Sequence, residues 1–246
     1  MDKLQAAQAQ LVGYYVVQAP INQTARLSEL LSVHEITGLR ELSLTIEIPA
    51  HATVTLVDDL QDYLVAQATL TLIVQDYARL FYELRATEGL AKQESSAVVV
   101  DKRINRDITI KLVGQEAFAD VRCLCYGQNQ DQFTFKTVQE HHARGATSTV
   151  IVKSVLNDYA RLTCRSLILV ETGGKQTTAD QVNKNILLSR TARAVSIPML
   201  EVKTNEVKCK HGAAVSRLDD EHRFYLESKG INPALTEQLL LEAFLQ

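Results

Sequence analysis

Residues 148–171 read STVIVKSVLNDYARLTCRSLILVE. Two runs rich in Val, Ile, Leu and Thr flank a short polar turn, Leu156-Asn157-Asp158-Tyr159-Ala160. Runs of this length and composition read as β-strands. The same pattern extends outward in both directions. Leu42, Leu44, Ile46 and Ile48 alternate with Ser43, Thr45 and Glu47, and AHATVTLVDD follows directly after Pro49. ATLTLIV (68–74), AVVVD (97–101), DITIKLV (107–113) and QFTFKTV (132–138) continue the series. Strand-like runs recur about every 10–15 residues over 41–203, with no helical period of 12 or more residues between them. That spacing argues against a βαβ sheet, which needs a helix in each crossover.

The turns separate two all-β architectures. A hairpin protein favours Asn-Gly or Asp-Gly turns, and neither dipeptide occurs here. The connections read instead DDLQD, QDYA, LNDYA and TGGKQTTAD. A meander or sandwich is poorly served by such loops, whereas a stacked β-solenoid makes many short strands without tight hairpins. An internal echo points the same way: Asp76-Tyr77-Ala78-Arg79-Leu80 returns as Asp158-Tyr159-Ala160-Arg161-Leu162. One shared pentapeptide is a suggestion of rungs rather than a repeat unit.

The 246 residues are 46% hydrophobic and 22% charged, the profile of a globular chain. The net charge of −3 gives no electrostatic reason to expect nucleic acid or an anionic membrane as a partner. No apolar stretch approaches the roughly 18 residues of a membrane span, and the N-terminus lacks the apolar region and cleavage site of a signal peptide. Four cysteines in so long a chain do not make a disulfide framework. Together these predict a soluble, cytoplasmic protein.

Residues 216–246 differ in kind. Ser216 to Asp219 resembles a capping pair, and DDEHRFYLESKG reads as a short helix with an acidic start and Gly230 just past its end. Asn232-Pro233 restarts a helix as N-cap and first-turn proline. Leu235, Leu239, Leu240, Ala243 and Phe244 then fall near one face. In the first 40 residues, LSELLSVHEITGL is the one candidate for a short helix.

Motifs for catalysis are absent. GxSxG, Walker A, GxGxxG and HExxH do not occur. Cys123 and Cys125 lack the spacing and second ligand pair of a zinc site, and on a strand both face one side, as core residues do. His141 and His142 are adjacent, so a strand points them to opposite faces and no joint clamp forms. Thr172-Gly173-Gly174-Lys175 reads as a turn, Asp58-Asp59 as a loop and Asp219-Asp220 as a helix start.

Residues 207–231, VKCKHGAAVSRLDDEHRFYLESKGI, resemble the signature of the SufB/SufD family of iron–sulfur cluster assembly proteins. The similarity runs on through PALTEQLLLEAF (233–244), and TADQVNKNILL (178–188), the tract 140–161 and IEIPAHATVTLV (46–57) resemble the family core more diffusely. The resemblance implies a mainly β fold, a right-handed parallel β-helix with a short C-terminal α-helical segment. It divides the chain into an N-terminal extension (1–40), partly helical, a β-helix core (41–215) and a helical segment (216–246). Two departures favour the SufD type over the SufB type. Counting back fifteen residues from Pro198, where SufB-type chains carry a cysteine important for assembly, reaches Asn183. Gly212 stands where SufB-type chains carry a Glu after the motif histidine.

The resemblance also carries roles. His211 is expected at the interface with a SufB-like partner, as a transient ligand for iron during cluster formation, with Cys209 beside it on the same strand face. Imidazole and thiolate are both competent iron ligands. The helical tail is expected to dock a SufC-like ATPase, with Leu240, Leu241 and Phe244 as candidate anchors. The chain itself is expected to be a non-catalytic scaffold that holds no cofactor firmly; a cluster would reside only transiently at the subunit interface. Most of the family's N-terminal helical region is expected to be missing, as in a short form. Two rival expectations are a self-pairing, homodimeric SufD-like scaffold and a β-helix enzyme acting on polysaccharide, which would need clustered carboxylates.

Overall fold

The computed structural model describes residues 12–18, 24–30, 41–59, 66–87 and 101–246. Its strands are β1 (Val12–Gln18), β2 (Thr24–Arg26), β3 (Glu41–Ile48), β4 (Thr53–Asp59), β5 (Gln67–Val74), β6 (Arg79–Ala86) and β7 (Arg103–Leu112). β8 (Phe118–Gly127), β9 (Gln132–His141), β10 (Thr147–Leu156), β11 (Arg161–Val170), β12 (Thr178–Leu187), β13 (Arg193–Val202) and β14 (Lys208–Ser216) follow. Among the described residues three helices accompany them: α1 (Leu27–Leu30), α2 (Asp220–Ser228) and α3 (Pro233–Leu245).

Odd strands form one sheet in the order β1-β3-β5-β7-β9-β11-β13, and even strands form the other, β14-β12-β10-β8-β6-β4-β2. Every pairing is parallel. The chain crosses from one sheet to the other at each corner, so two strands make a rung and the rungs stack as a β-solenoid. The described rungs reach back to Val12, because β1 pairs with β3 and β2 with β4. α1 lies at the start of LSELLSVHEITGL, whose residues 31–39 fall outside the described residues, as do residues 97–100 of AVVVD.

The corners explain why Asn-Gly turns are unnecessary. Each corner bonds to the corner of the next rung, not across a hairpin. Arg79 N donates to Ala52 O at 2.8 Å, Phe118 N to Ala78 O at 2.9 Å, Thr147 N to Ala117 O at 2.8 Å and Thr178 N to Ala146 O at 3.1 Å. Just before each of those buried alanines the backbone turns left-handed, at His51, Tyr77, Glu116 and Gly145. A left-handed non-glycine residue costs about 1–2 kcal/mol, and the inter-rung hydrogen bonds offset it. The pentapeptide echo belongs to these corners. Ala78 and Ala160 are both fully buried immediately before a strand, yet they occupy opposite corners of the solenoid. The left-handed residue is Tyr77 in one copy and Asp158 in the other. The repeat therefore encodes a way of turning, not a rung.

Strand alternation puts one side chain in two inside the solenoid, and in-register pairing stacks them in columns. Leu42, Leu44, Ile46 and Ile48 of β3 lie over Ala68, Leu70, Leu72 and Val74 of β5, all buried. Cys123 and Cys125 are fully buried on this inner face, where burial pushes both thiols up. Asp58 departs from the loop expectation. It lies in β4, points inward, accepts a 2.7 Å hydrogen bond from the Tyr82 hydroxyl and sits 3.9 Å from buried Arg106. The charge is tolerated inside because a cation and a hydroxyl meet it there.

Toward the C-terminal end the interior turns polar: Thr137, Gln139 and His141 in β9, Ser148 and Ser154 in β10, Ser166 in β11, and Gln181, Asn183 and Asn185 in β12 are all buried. His141 Nε2 meets Ser148 Oγ at 2.8 Å, and the same hydroxyl contacts Gln139 Oε1. His142 points out and meets Glu140 at 3.2 Å. The pair thus faces opposite ways, as expected.

Helix α2 is capped by Asp219, whose carboxylate accepts from Glu221 N, in place of the Ser216 cap that the sequence suggests. Asn232 caps α3, with its side chain accepting from Leu235 N at 2.9 Å. Leu241 and Leu245 of α3 are buried with Leu124, Val155 and Ile186, outward residues of β8, β10 and β12. The tail therefore lies against the outer face of the even-strand sheet.

Two expectations follow. A Cβ on Gly173 would collide with the carbonyl of His142, so Gly173→Ala should lower stability by about 1–3 kcal/mol in urea denaturation. Burial lowers the His141 pKa to about 4 from 6.5. The unfolded chain then binds the extra proton first, so stability is full above about pH 6.5 and is lost as pH falls toward 4. His141→Gln should flatten the pH dependence of the denaturation midpoint between pH 7 and 4, by an amount on the order of 3 kcal/mol.

Candidate functional site

The solenoid ends at β13 and β14, which terminate the two sheets. Parallel register continues the inner columns onto them. Ala179, Gln181 and Asn183 of β12 lie beside Cys209, His211 and Ala213 of β14. Ile168 and Val170 of β11 lie beside Leu200 and Val202 of β13. Burial changes abruptly at this step. Ile168 and Val170 are fully buried, whereas Leu200 is 43% exposed and Val202 39%. Val215, at the end of the β14 column, is 52% exposed. The inner face of the last rung is thus an open floor, apolar along β13 and bearing a histidine and a cysteine along β14.

Cys209 and His211 are two residues apart on one strand, so they share this face, roughly 6.6 Å apart along the chain. His211 is exposed and Cys209 half-buried. Burial, and then the carboxylate of Asp180, hold the Cys209 thiol above its usual pKa. It is therefore a protonated thiol at neutral pH and must lose that proton to become a ligand. Asn183, at the position where a SufB-type thiol would stand, is buried on β12 with its Oδ1 unpartnered. Among the described residues, no group of three or more His, Cys, Asp or Glu is placed to hold a metal ion. Cys209 and His211 offer two donors, fewer than the four of a cluster held by one chain.

Pro198 stands in the middle of β13. Proline is confined to edge strands because it cannot donate to the ladder, and it interrupts further pairing along that edge. β14 carries no proline between Lys208 and Ser216, so its outer backbone edge is continuous.

The tail divides into an inner and an outer surface. Of the three residues singled out as anchors, Leu241 is buried against the sheet, and Leu240 and Phe244 are half-buried. Lys153 of β10 lies over the Phe244 ring at 5.7 Å. The apolar residues that face out are Phe224 (74% exposed) and Tyr225 (59%) of α2, and Leu235 and Leu239 of α3. Sequence reading placed Leu235 and Leu239 on one stripe with Leu240 and Phe244, but the buried stripe runs through Thr236, Leu241 and Leu245. The sequence pattern alone does not mark Phe224 and Tyr225 as outward, because aromatics in a short amphipathic helix look like core. Of the four thiols Cys209 is the accessible one, since Cys123, Cys125 and Cys164 are buried. Native protein treated with a disulfide-exchange reagent should therefore release a fast signal from Cys209 that Cys209→Ser abolishes, slower at pH 7 than for a free cysteine.

The chain matches the family described as SUF system FeS cluster assembly, SufBD core domain, over residues 43–244. An iron–sulfur cluster assembly SufBD family protein of Synechocystis sp. is 36% identical over 111 residues, 45% of this chain and 24% of that protein. The iron–sulfur cluster assembly protein SufD of Escherichia coli is 30% identical over 141 residues, 57% of this chain and 33% of that protein. A SufBD family protein of Mycobacterium leprae is 24% identical over 204 residues, 77% of this chain and 52% of that protein. The aligned segments thus span between a quarter and about half of these relatives' lengths. With a family match that runs from β3 to the end of α3, the chain belongs to the SufBD family.

Proposed function

We propose that this protein is a SufD-like scaffold of iron–sulfur cluster assembly, itself without catalytic activity, that completes its site by pairing with a SufB-like chain. The observation that carries the reading is the open last rung. It exposes Leu200, Val202 and Val215 beside the two ligand-type residues Cys209 and His211. A monomer gains nothing by leaving such a floor uncovered, and an exposed strand edge is a template for another strand. Two donors from one chain become a full set when a partner supplies the rest. Neutral imidazole binds iron without first losing a proton, whereas Cys209 has to lose one, so His211 is the leading ligand.

The backbone edge of β14 is the surface for strand pairing, since Pro198 interrupts β13. The outer faces of α2 and α3, with Phe224, Tyr225, Leu235 and Leu239, are the surface for a SufC-like ATPase. Work done by that ATPase on the pair would open and close the joint where iron and sulfide are loaded, and the cluster is cargo there. Four free thiols fit a reducing compartment, which we take to be the cytoplasm. Among the described residues no helix is long and apolar enough to cross a membrane.

Co-expression with SufB-like and SufC-like chains from the same host tests the reading by the mass of what co-purifies. The intact chain is expected to carry both. Phe224→Glu with Tyr225→Glu should lose the ATPase and keep the other partner, because both side chains are exposed. His211→Ala should keep both partners and reduce cluster formation. A chain that purifies as a stable homodimer and ignores both would assign the open rung to self-pairing.

A further inference from the structure

Gln181 sits in the inner column of β12, 2% exposed, and its Oε1 has no hydrogen-bond partner. A buried amide oxygen left unpaired costs about 1–3 kcal/mol. Its ladder neighbours say where a donor stands. Val150 of β10 lies on one side and offers none. His211 of β14 lies on the other, in register, on the same inner face and one strand spacing away. Asn185, two residues beyond Asn183 on the same inner face, shows what a satisfied polar group looks like in this rung. It accepts from Ser154 Oγ at 2.6 Å and donates to Ser196 Oγ and to Ala214 O of β14. The rung thus already uses β14 to satisfy one buried amide.

We propose that Gln181 is the positioning residue of His211. A rotation of the exposed His211 ring toward β12 lets this Oε1 accept the N–H of one ring nitrogen, which holds the imidazole over the floor of the last rung and fixes the tautomer. The other ring nitrogen is then unprotonated and directed out of the solenoid end, where an iron ligand is required. Metal-binding histidines usually have the second nitrogen held in this way. The rest of the inner face around His211 is uncharged: Ala194, Ser196, Pro198, Leu200 and Val202 on β13, and Ala179, Asn183 and Asn185 on β12, with Cys209 the one titratable residue on that face of β14 and Lys208 and Lys210 on its outer face. The inference rests on the reading of His211 as an iron donor, but the hydrogen bond is testable without any partner.

The test is nitrogen NMR of the histidine ring in the full-length 15N-labelled chain, with His211 assigned by its disappearance in His211→Gln. At a pH where the ring is neutral, the native chain should show a single tautomer, with its ring N–H protected from water exchange. Gln181→Met keeps the side-chain volume and removes the acceptor. It should lose the protected N–H and average the two ring nitrogens, while the thermal midpoint holds or rises. Gln181→Glu should restore the single tautomer. Identical ring spectra for the native chain and Gln181→Met overturn the proposal. In the assembled complex Gln181→Met should slow cluster formation about 10-fold without loss of either partner. A His211→Ala chain that assembles clusters at the native rate would remove the iron-donor reading without touching the comparison of ring spectra between the native chain and Gln181→Met, so the two failures are told apart.

Discussion

The in-register parallel ladder is the constraint on which the rest of the structure depends. Each rung places its inner side chains directly on those of the rung before, and each corner bonds to the next corner. A stack of this kind buries its rungs only between neighbours. The last rung therefore inherits the inner face of a core residue without the cover that a core residue has. Leu200 and Val202 continue the column of Ile168 and Val170 and are left open for no reason other than their place in the order.

The polarity of the interior follows the same direction. Rungs built from β3 to β6 hold aliphatic columns, apart from Asp58 with its Tyr82 and Arg106 partners. From β9 onward the columns take in Gln139, His141, Ser148, Ser154, Gln181, Asn183 and Asn185. Buried polar groups lower stability unless each finds a partner, so the end of the solenoid is the least economical place to fold and the most specific in geometry. Asn185 is satisfied across three strands, and Gln181 faces His211. Polar columns at the open end give the rung a fixed arrangement where chemistry is expected, and aliphatic columns at the other end hold it up.

Much of the strand pattern was legible in the sequence because alternation is a local property: β3, β5, β9, β10 and β11 stand where the period-two runs fell. β6, β8, β12 and β13 were harder to see. TADQVNKNIL places charged or amide groups on both faces, and a polar interior breaks the alternation that marks a strand; in RLFYELRA the charges all lie outside, but Phe81 among them blurs the pattern. Asp58 was misread for the same reason, since its partners Tyr82 and Arg106 come from other rungs. His211 and Cys209 were legible through the resemblance of residues 207–231 and not through periodicity. Their shared face was set by spacing, but their openness depends on where the stack stops. The division of the tail between Leu241, which is buried, and Leu239, which is not, depends on the angle at which α3 meets β10, and the helical period alone does not fix that angle.

Hydrogen–deuterium exchange of the chain, alone and with a SufB-like partner, tests the central claim most directly. If the open rung is the joint, partner binding should slow exchange in residues 193–216, most strongly along β14, and leave β3 to β8 unchanged. Protection confined to the helical tail or to the early rungs, with β13 and β14 exchanging as in the free chain, would contradict it.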